Sequence, residues 1–412
     1  MAATIEYIQT NGVKVPVIFE SDKRLPLVTM QFIFQNSGSI TDTTKAGLAK
    51  FSARVMGEGT KKLGSSAFAE SLESRAIHIS ASTGKETFVM ELGCLKEEFS
   101  EGLKKFDALL KDPNYSKEAI TKVKTTTMGS LSAKANDFDF VASNELKSIM
   151  FKGTPLANPS SGTLKSVESI ELDDVKAFVK EHLVSERLIV VIGGDVDIAE
   201  AKKDLKKIID AMPKGKMEAL KHYSVVKKPS QSILKEETQQ AYMYFGSHYD
   251  MKDGDEDYYK ARVAAFILGT GGFGSRLMEE IRVKRGLAYS AYARVHVSKS
   301  SSYMSGYLQT KLESLDEAQK SVQEVFSKFV KDGVTQDELD QTKKFLLGSE
   351  PLRVETMGQR LNRSFMEFYK GQELGHSKAE LKKIKKLRLK DLNEFIKNHK
   401  EILEMSFAIV TK

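Results

Sequence analysis

At 412 residues the chain is longer than one ordinary core serves, and its length implies two to three domains. Its 41% hydrophobic and 29% charged content fits a soluble globular protein and excludes a disordered one, and no run approaches the ~20 apolar residues of a membrane-spanning helix. The net charge of +7 comes from 63 basic residues interspersed with 56 acidic ones, and with no nucleic-acid motif present, nucleic acid is not expected as a partner.

Met1-Ala2-Ala3 leads almost directly into the strand-like residues 5–8, with no charged-then-apolar leader. Small residues abutting a first strand suit a mature exported, periplasmic chain with Met added in front; a cytoplasmic chain is the alternative. Cys94 is the single cysteine, so no disulfide and no cysteine-based metal site can form within one chain. Strands are expected over residues 13–19 and 27–34, punctuated by Asn11-Gly12 and by the Lys23-Arg24-Leu25-Pro26 turn. The spacing of Leu48, Phe51 and Val55 predicts a helix over 45–56, closed by Gly57-Glu58-Gly59. A second helix is predicted over 67–75, a hairpin over 77–92 turning near Gly84, and helices over 97–110, 117–132 and 138–150. Residues 173–182 open on two acids that favour a helix N-terminus, and 188–192 form a buried strand closed by Gly193-Gly194.

This order then repeats. Residues 106–112 correspond to 326–332, Phe151-Lys152-Gly153 to Tyr369-Lys370-Gly371, and 170–182 to 387–399, where Phe178/Phe395 and His182/His399 are identical in type. Strands at 188–192 and 405–409 follow at the same spacing. Matches in one order at nearly constant separation indicate duplication. The predicted fold is therefore α+β, with two homologous domains in tandem, each an antiparallel-rich sheet packed with helices. The domains are placed at 1–213 and 232–412, with a linker over 214–231 where charge, Pro and Gly cluster. Thr335-Gln-Asp-Glu338 is a capping-box pattern. The most basic run, 378–400, places Leu381, Ile384, Leu387 and Leu392 at helical spacing and reads as a helix with a solvated charged face.

Residues 269–294 read as a glycine-rich loop, a short amphipathic helix, a break at Gly286, then a strand. Arg282 and Tyr289 are the strongest candidates for chemistry. A phenol can donate a hydrogen bond to a developing oxyanion, and a guanidinium can clamp a carbonyl with fixed fork geometry. The alternative pairs Arg282 with Glu279 or Glu280 and leaves Tyr289 a half-buried strand residue. The loop itself is a poor phosphate site, because it lies between helices and no Gly-Lys-Ser/Thr follows. Its glycines permit positive φ and close approach, and Ser275 and Arg276 are placed to cap the next helix.

The duplicated layout, the stretch Gly47-Leu-Ala-Lys50-Phe-Ser-Ala53-Arg54 and the seven-residue step from Arg282 to Tyr289 together resemble the pitrilysin/insulinase metallopeptidase family. The resemblance spans essentially the whole chain and is greatest to the short-chain branch of mitochondrial processing peptidase and bacterial two-subunit peptidases. Active members carry H-x-x-E-H on the first long helix, two histidines binding zinc and the glutamate acting as base. Those positions fall here on Lys50, Ala53 and Arg54. Neither cation offers a lone pair, both repel a dication, and Ala53 accepts no proton. Between Glu118 and Asp137, where the family places the third ligand, there is no Asp or Glu, and the seven histidines are scattered. No metal is therefore expected in this chain, and no zinc peptidase activity from it alone. Lys50 and Arg54 are expected to pair with acidic neighbours or stay solvated, with a subunit face as the sharper alternative.

In the two-subunit branch, the resemblance implies that the subunit without zinc presents an Arg/Tyr pair, here Arg282 and Tyr289, in trans to the zinc site of its partner. It also implies a substrate-contacting loop, here Gly269, Gly271, Gly272, Phe273, Gly274 and Ser275. The expectation is thus a bacterial pseudo-peptidase: the non-catalytic subunit of a heterodimeric zinc metallopeptidase, binding peptide, with zinc in the partner subunit. The alternatives are a structural or peptide-binding protein of the same fold with no part in catalysis, and a homodimer that holds peptides. The family's preference for basic peptides is put in doubt by a pI near 9.0.

Overall fold

A computed structural model of the chain describes residues 3–10 and 12–412. The first half runs β1 (Thr4–Thr10), β2 (Val13–Ser21), β3 (Leu27–Gln35), α1 (Leu48–Met56), α2 (Gly64–Glu73), β4 (His78–Thr83), β5 (Thr87–Leu95), α3 (Phe99–Lys111), α4 (Lys117–Lys134), α5 (Phe138–Met150), α6 (Leu164–Glu168), α7 (Leu172–His182), β6 (Leu188–Gly194) and α8 (Ile198–Asp210). The second half runs β7 (Gln231–Lys235), β8 (Gln240–His248), α9 (Tyr258–Ala265), β9 (Ala288–Val297), β10 (Ser302–Lys311), α10 (Leu315–Asp332), α11 (Gln336–Gly348), α12 (Met357–Tyr369), α13 (His376–Lys386), α14 (Leu389–Asn398) and β11 (Ser406–Thr411). Among the described residues no helix is long and apolar enough to cross a membrane.

Two expected helices change their bounds for local reasons. The helix predicted from residue 45 starts at Leu48, because Gly47 turns left-handed at φ 88. The basic run 378–400 is two helices rather than one, broken where Leu387 and Arg388 take extended ψ. Ile384, Leu387 and Leu392 still face the core as their spacing predicted.

The duplication is written in the strand order. The first sheet is β1-β2-β6-β3-β5-β4 and the second β7-β11-β8-β10-β9. In each, the last strand of the half lies parallel to an early one (β6 on β2, β11 on β7), and every other ladder is antiparallel. The two sheets share their connectivity apart from the added β1. Matching positions also do matching work: His182 packs on Phe178 at 4.5 Å and His399 on Phe395 at 4.1 Å.

The compact units are not the contiguous halves. One comprises residues up to Ala133, Asn158–Leu220 and Val354–Phe368; the other comprises Lys134–Ala157, Lys221–Arg353 and Tyr369–Lys412. Each half thus gives a helix to the other unit. The spans 1–213 and 232–412 describe the repeat in sequence but not these units.

Within the second unit α5 lies on β8 and β11, its Phe138 ring 5.7 Å from Tyr242, and Met150 sits over Gly246, where a Cβ would come within 2.6 Å of its sulfur. Within the first unit, a Cβ on Gly193 of β6 would meet Leu361 of α12 at 2.7 Å. Arg360 anchors that segment, donating to Glu20 at 2.5 Å and to Asp22 at 2.7 Å. Hydrogen bonds from Arg24, and then Arg360, hold the Asp22 carboxyl well below the usual carboxylate range. Glu20 is 2% exposed, so Arg360→Ala leaves a buried carboxylate without its partner. Urea unfolding should show a loss of about 3 kcal/mol, the cost of breaking a buried pair from one side; an unchanged midpoint would remove the anchoring role.

Candidate functional site

Lys50, Ala53 and Arg54 lie together on α1, as the helical spacing predicts. Lys50 Nζ donates to Ser161 Oγ at 3.0 Å, and Arg54 donates to Thr127 Oγ1 at 2.5 Å. Thr127 is buried on α4 and donates a hydrogen bond to the Val123 carbonyl at 2.7 Å. For Arg54 the expected acidic neighbour is thus replaced by a hydroxyl, on the helix where the resemblance places a third zinc ligand. These residues do not fit a zinc ion: the position that needs a lone pair holds a guanidinium, and Ala53 is buried at 3% exposure. Among the described residues no three His, Cys, Asp or Glu side chains form a set that could hold a metal. Asp42 secures the start of α1, accepting the Gly47 N–H at 3.0 Å and the Ala49 N–H at 2.9 Å. Burial pushes its carboxyl up to about 7 against the pull of those amides.

The second cluster is built from three irregular segments. After α9 the backbone widens, and the Gly271 N–H donates to the Phe266 carbonyl, five residues back, at 3.0 Å. A second widened stretch, Met278–Lys284, closes with Leu287 N–H on Ile281 O at 2.9 Å and Gly286 N–H on Arg282 O at 3.1 Å. Such widened turns are rare and concentrate at functional sites. Gly286 then turns the chain at φ 63 into β9, the edge strand of its sheet. There the ladder skips: Ala288 pairs with Thr310 and Ala291 with Leu308, so Tyr289 and Ser290 share one opposing residue. A β-bulge of this kind re-aims a side chain, and Tyr289 emerges 80% exposed.

These irregularities bring the loop, Arg282 and Tyr289 together. The Arg282 guanidinium carbon lies 4.3 Å from the centroid of the Tyr289 ring and 4.6 Å from that of Phe273, which is 65% exposed. Each contact contributes ~0.5–1 kcal/mol at an exposed position. The alternative ion pair does not form. Glu280 instead takes Lys284 at 3.2 Å and Arg285 at 3.0 Å, and Arg282 makes no ion pair among the described residues.

The six loop residues divide. Gly269 is buried, and a Cβ there would lie 2.4 Å from the Ala293 amide nitrogen, so this glycine lets the widened turn pack on β9. Gly271 is half-buried, and a Cβ there would meet the Phe266 carbonyl at 2.8 Å. Ser275 is 1% exposed and donates to the Gly272 carbonyl at 2.7 Å, which leaves its hydroxyl turned inward. Gly272, Phe273 and Gly274 form the exposed crest. Arg276, expected to cap the next helix, instead holds Glu338 through two bonds of 2.6 and 2.8 Å, and that Glu338 closes the predicted capping box with Thr335. Sequence reasoning missed Tyr292 and Arg294, stacked at 5.0 Å on the same strand. Their alternation with Ala291 and Ala293 was the available signal.

A duplicated α+β fold, with Lys50, Ala53 and Arg54 on α1 where the resemblance expects metal donors, points to a peptidase-like chain without those donors. Comparison with known proteins gives the class its name. Residues 17–164 match the model of the insulinase family, peptidase family M16, and residues 169–346 match that of the peptidase M16 inactive domain. A Helicobacter pylori protein described as a non-peptidase homolog, YmxG, is 42% identical over 410 residues, covering 100% of this chain and 95% of its own. A Bacillus subtilis protein described as an uncharacterized zinc protease, also YmxG, is 23% identical over 363 residues, 87% of this chain and 86% of its own. The crystal structure of a peptidase M16 inactive domain from Pseudomonas fluorescens superposes with a TM-score of 0.90 at 23% identity, covering 99% and 98% of the two chains. The chain belongs to the insulinase family, peptidase family M16.

Asp42 makes the stability of the α1 region depend on pH. Its folded pKa of about 7 lies above the unfolded value, so the folded state holds the proton more tightly between the two. The stabilisation is complete below about pH 4 and is lost as pH rises towards 7. The stability of the wild type relative to Asp42→Asn, measured by urea unfolding across that range, should fall as pH rises; a constant difference would contradict the raised carboxyl.

Proposed function

We propose that this chain is the non-catalytic subunit of a heterodimeric zinc metallopeptidase, binding peptide and supplying Arg282 and Tyr289 to a site completed by a zinc-bearing homologous partner. The observation that carries the reading is the Arg282 guanidinium held between the Phe273 and Tyr289 rings without an ion pair among the described residues. Stacking occupies the faces of the guanidinium and leaves its N–H edge to meet a substrate carbonyl. The neighbouring Tyr289 phenol is exposed, and it donates to the carbonyl oxygen as charge develops there, stabilising the transition state by about 3 kcal/mol. The exposed crest of Gly272, Phe273 and Gly274 sits beside both groups as a contact for the peptide backbone.

The purified chain should neither bind zinc in a calorimetric titration nor cleave peptides by itself. Mixed with its zinc-bearing partner it should restore cleavage, and Tyr289→Phe should then lower kcat by about a hundredfold with KM little changed, as loss of an oxyanion donor does. Unchanged kcat in that complex rejects the catalytic role. A partner fully active without this chain would favour the other reading, a structural or peptide-holding protein of the same fold.

A further inference from the structure

The kind of peptide this site would take can be read from β9, given the peptide-binding role proposed above. Ala288, Ala291 and Ala293 of β9 face the core, so Tyr292, Arg294 and His296 lie on the opposite face. On that face α5 covers the β8 side, with Phe138 on Tyr242 and Phe151 on Tyr303. β9 is the sheet edge, where an extended peptide backbone finds unpaired N–H and C=O groups.

Two guanidiniums mark this edge. Arg282 is stacked between Phe273 and Tyr289, and Arg294, exposed, lies 5.0 Å from the Tyr292 ring. Neither has an ion pair among the described residues, whereas Arg276, Arg285, Arg360 and Arg388 all engage carboxylates. A guanidinium stacked on a ring keeps its in-plane N–H fork free, and that fork matches a carboxylate. α5 and its N-cap carry the carboxylates Asp137, Asp139 and Glu145; Asp137 accepts the Phe140 N–H at 3.1 Å, Glu145 accepts from Ser232 Oγ at 2.6 Å, and burial raises the pKa of Asp139. His296 is held by Ser305 at 2.9 Å.

We propose that this strand edge selects peptides carrying Asp or Glu side chains, with Arg294 as the carboxylate-binding position and Arg282 kept for the substrate carbonyl. The combination of aromatic rings and guanidiniums would also suit single-stranded RNA; the free strand edge favours a peptide.

The test uses the full chain and fluorescence anisotropy at near-physiological salt. Its probes are labelled peptides, acetylated and amidated so that only side chains carry charge, in acidic, neutral and basic versions of one apolar framework, together with an RNA oligonucleotide. The acidic peptide should bind about tenfold tighter than the neutral one, the size of one charge-assisted contact, with the basic peptide weakest. Arg294→Glu should abolish that preference while leaving the thermal melt unchanged. Equal binding of the three peptides, a preference for the basic one, insensitivity to this substitution, or tighter binding of RNA would each overturn the assignment. Equal binding would leave the peptide site itself intact. Binding of none of the peptides, together with full activity of a Tyr289→Phe complex, would remove the underlying reading as well.

Discussion

A strand buried along its whole length needs cover on both faces of its sheet, and this constraint arranges most of the molecule. β6 and β11 are buried at every position. In each unit one layer of cover comes from the same half of the chain and the other from a helix of the opposite half. Once α5 occupies β8 and β11, the part of the second sheet left open is the side of β9. Tyr289 and Arg294 are exposed on that strand, and the half-buried Arg282 reaches the Tyr289 ring from the widened turn before it.

The pairing of Arg282 with Tyr289 depends on two departures from regular geometry, one on each side of Gly286. The widened turn shifts Arg282 relative to a regular helix, and the bulge adds a residue to β9 and turns Tyr289 outward. Neither departure is favourable by itself, and the flanking residues hold both in place. Leu277, Ile281, Leu287 and Ala288 are buried in the core of the second unit, so the irregular backbone is fixed by the packing beneath it. Phe273 and Tyr289 are exposed above this packing, with the half-buried Arg282 guanidinium 4.6 and 4.3 Å from their ring centroids.

Much of this was legible in the sequence because it depends on local spacing. The repeat could be read from pairs such as Phe178/Phe395, which keep the same role in both units. That Lys50, Ala53 and Arg54 share α1 was legible because α1 is a regular helix. The exchange of α5 and α12 was not legible: an apolar stripe shows that a helix has a buried face without showing which sheet it meets. The widened turns were hidden for a related reason, since apolar residues such as Leu277 and Ile281 keep ordinary helical spacing. The break between α13 and α14 was masked in the same way, with Ile384, Leu387 and Leu392 continuing one apolar face across it. The partner of Arg54 was missed because acids, solvent and a subunit face were considered, whereas the neutral Thr127 hydroxyl accepts its hydrogen bond.

The bond between Arg54 and Thr127 also bears on what a metal ion would require of α1 and α4. Histidine at position 54 alone would forfeit the bond to Thr127 and face the ammonium of Lys50 one turn earlier on α1. Glutamate at position 127 alone would pair with Arg54 and tie up both groups. Neither substitution alone therefore assembles a set of metal donors across α1 and α4.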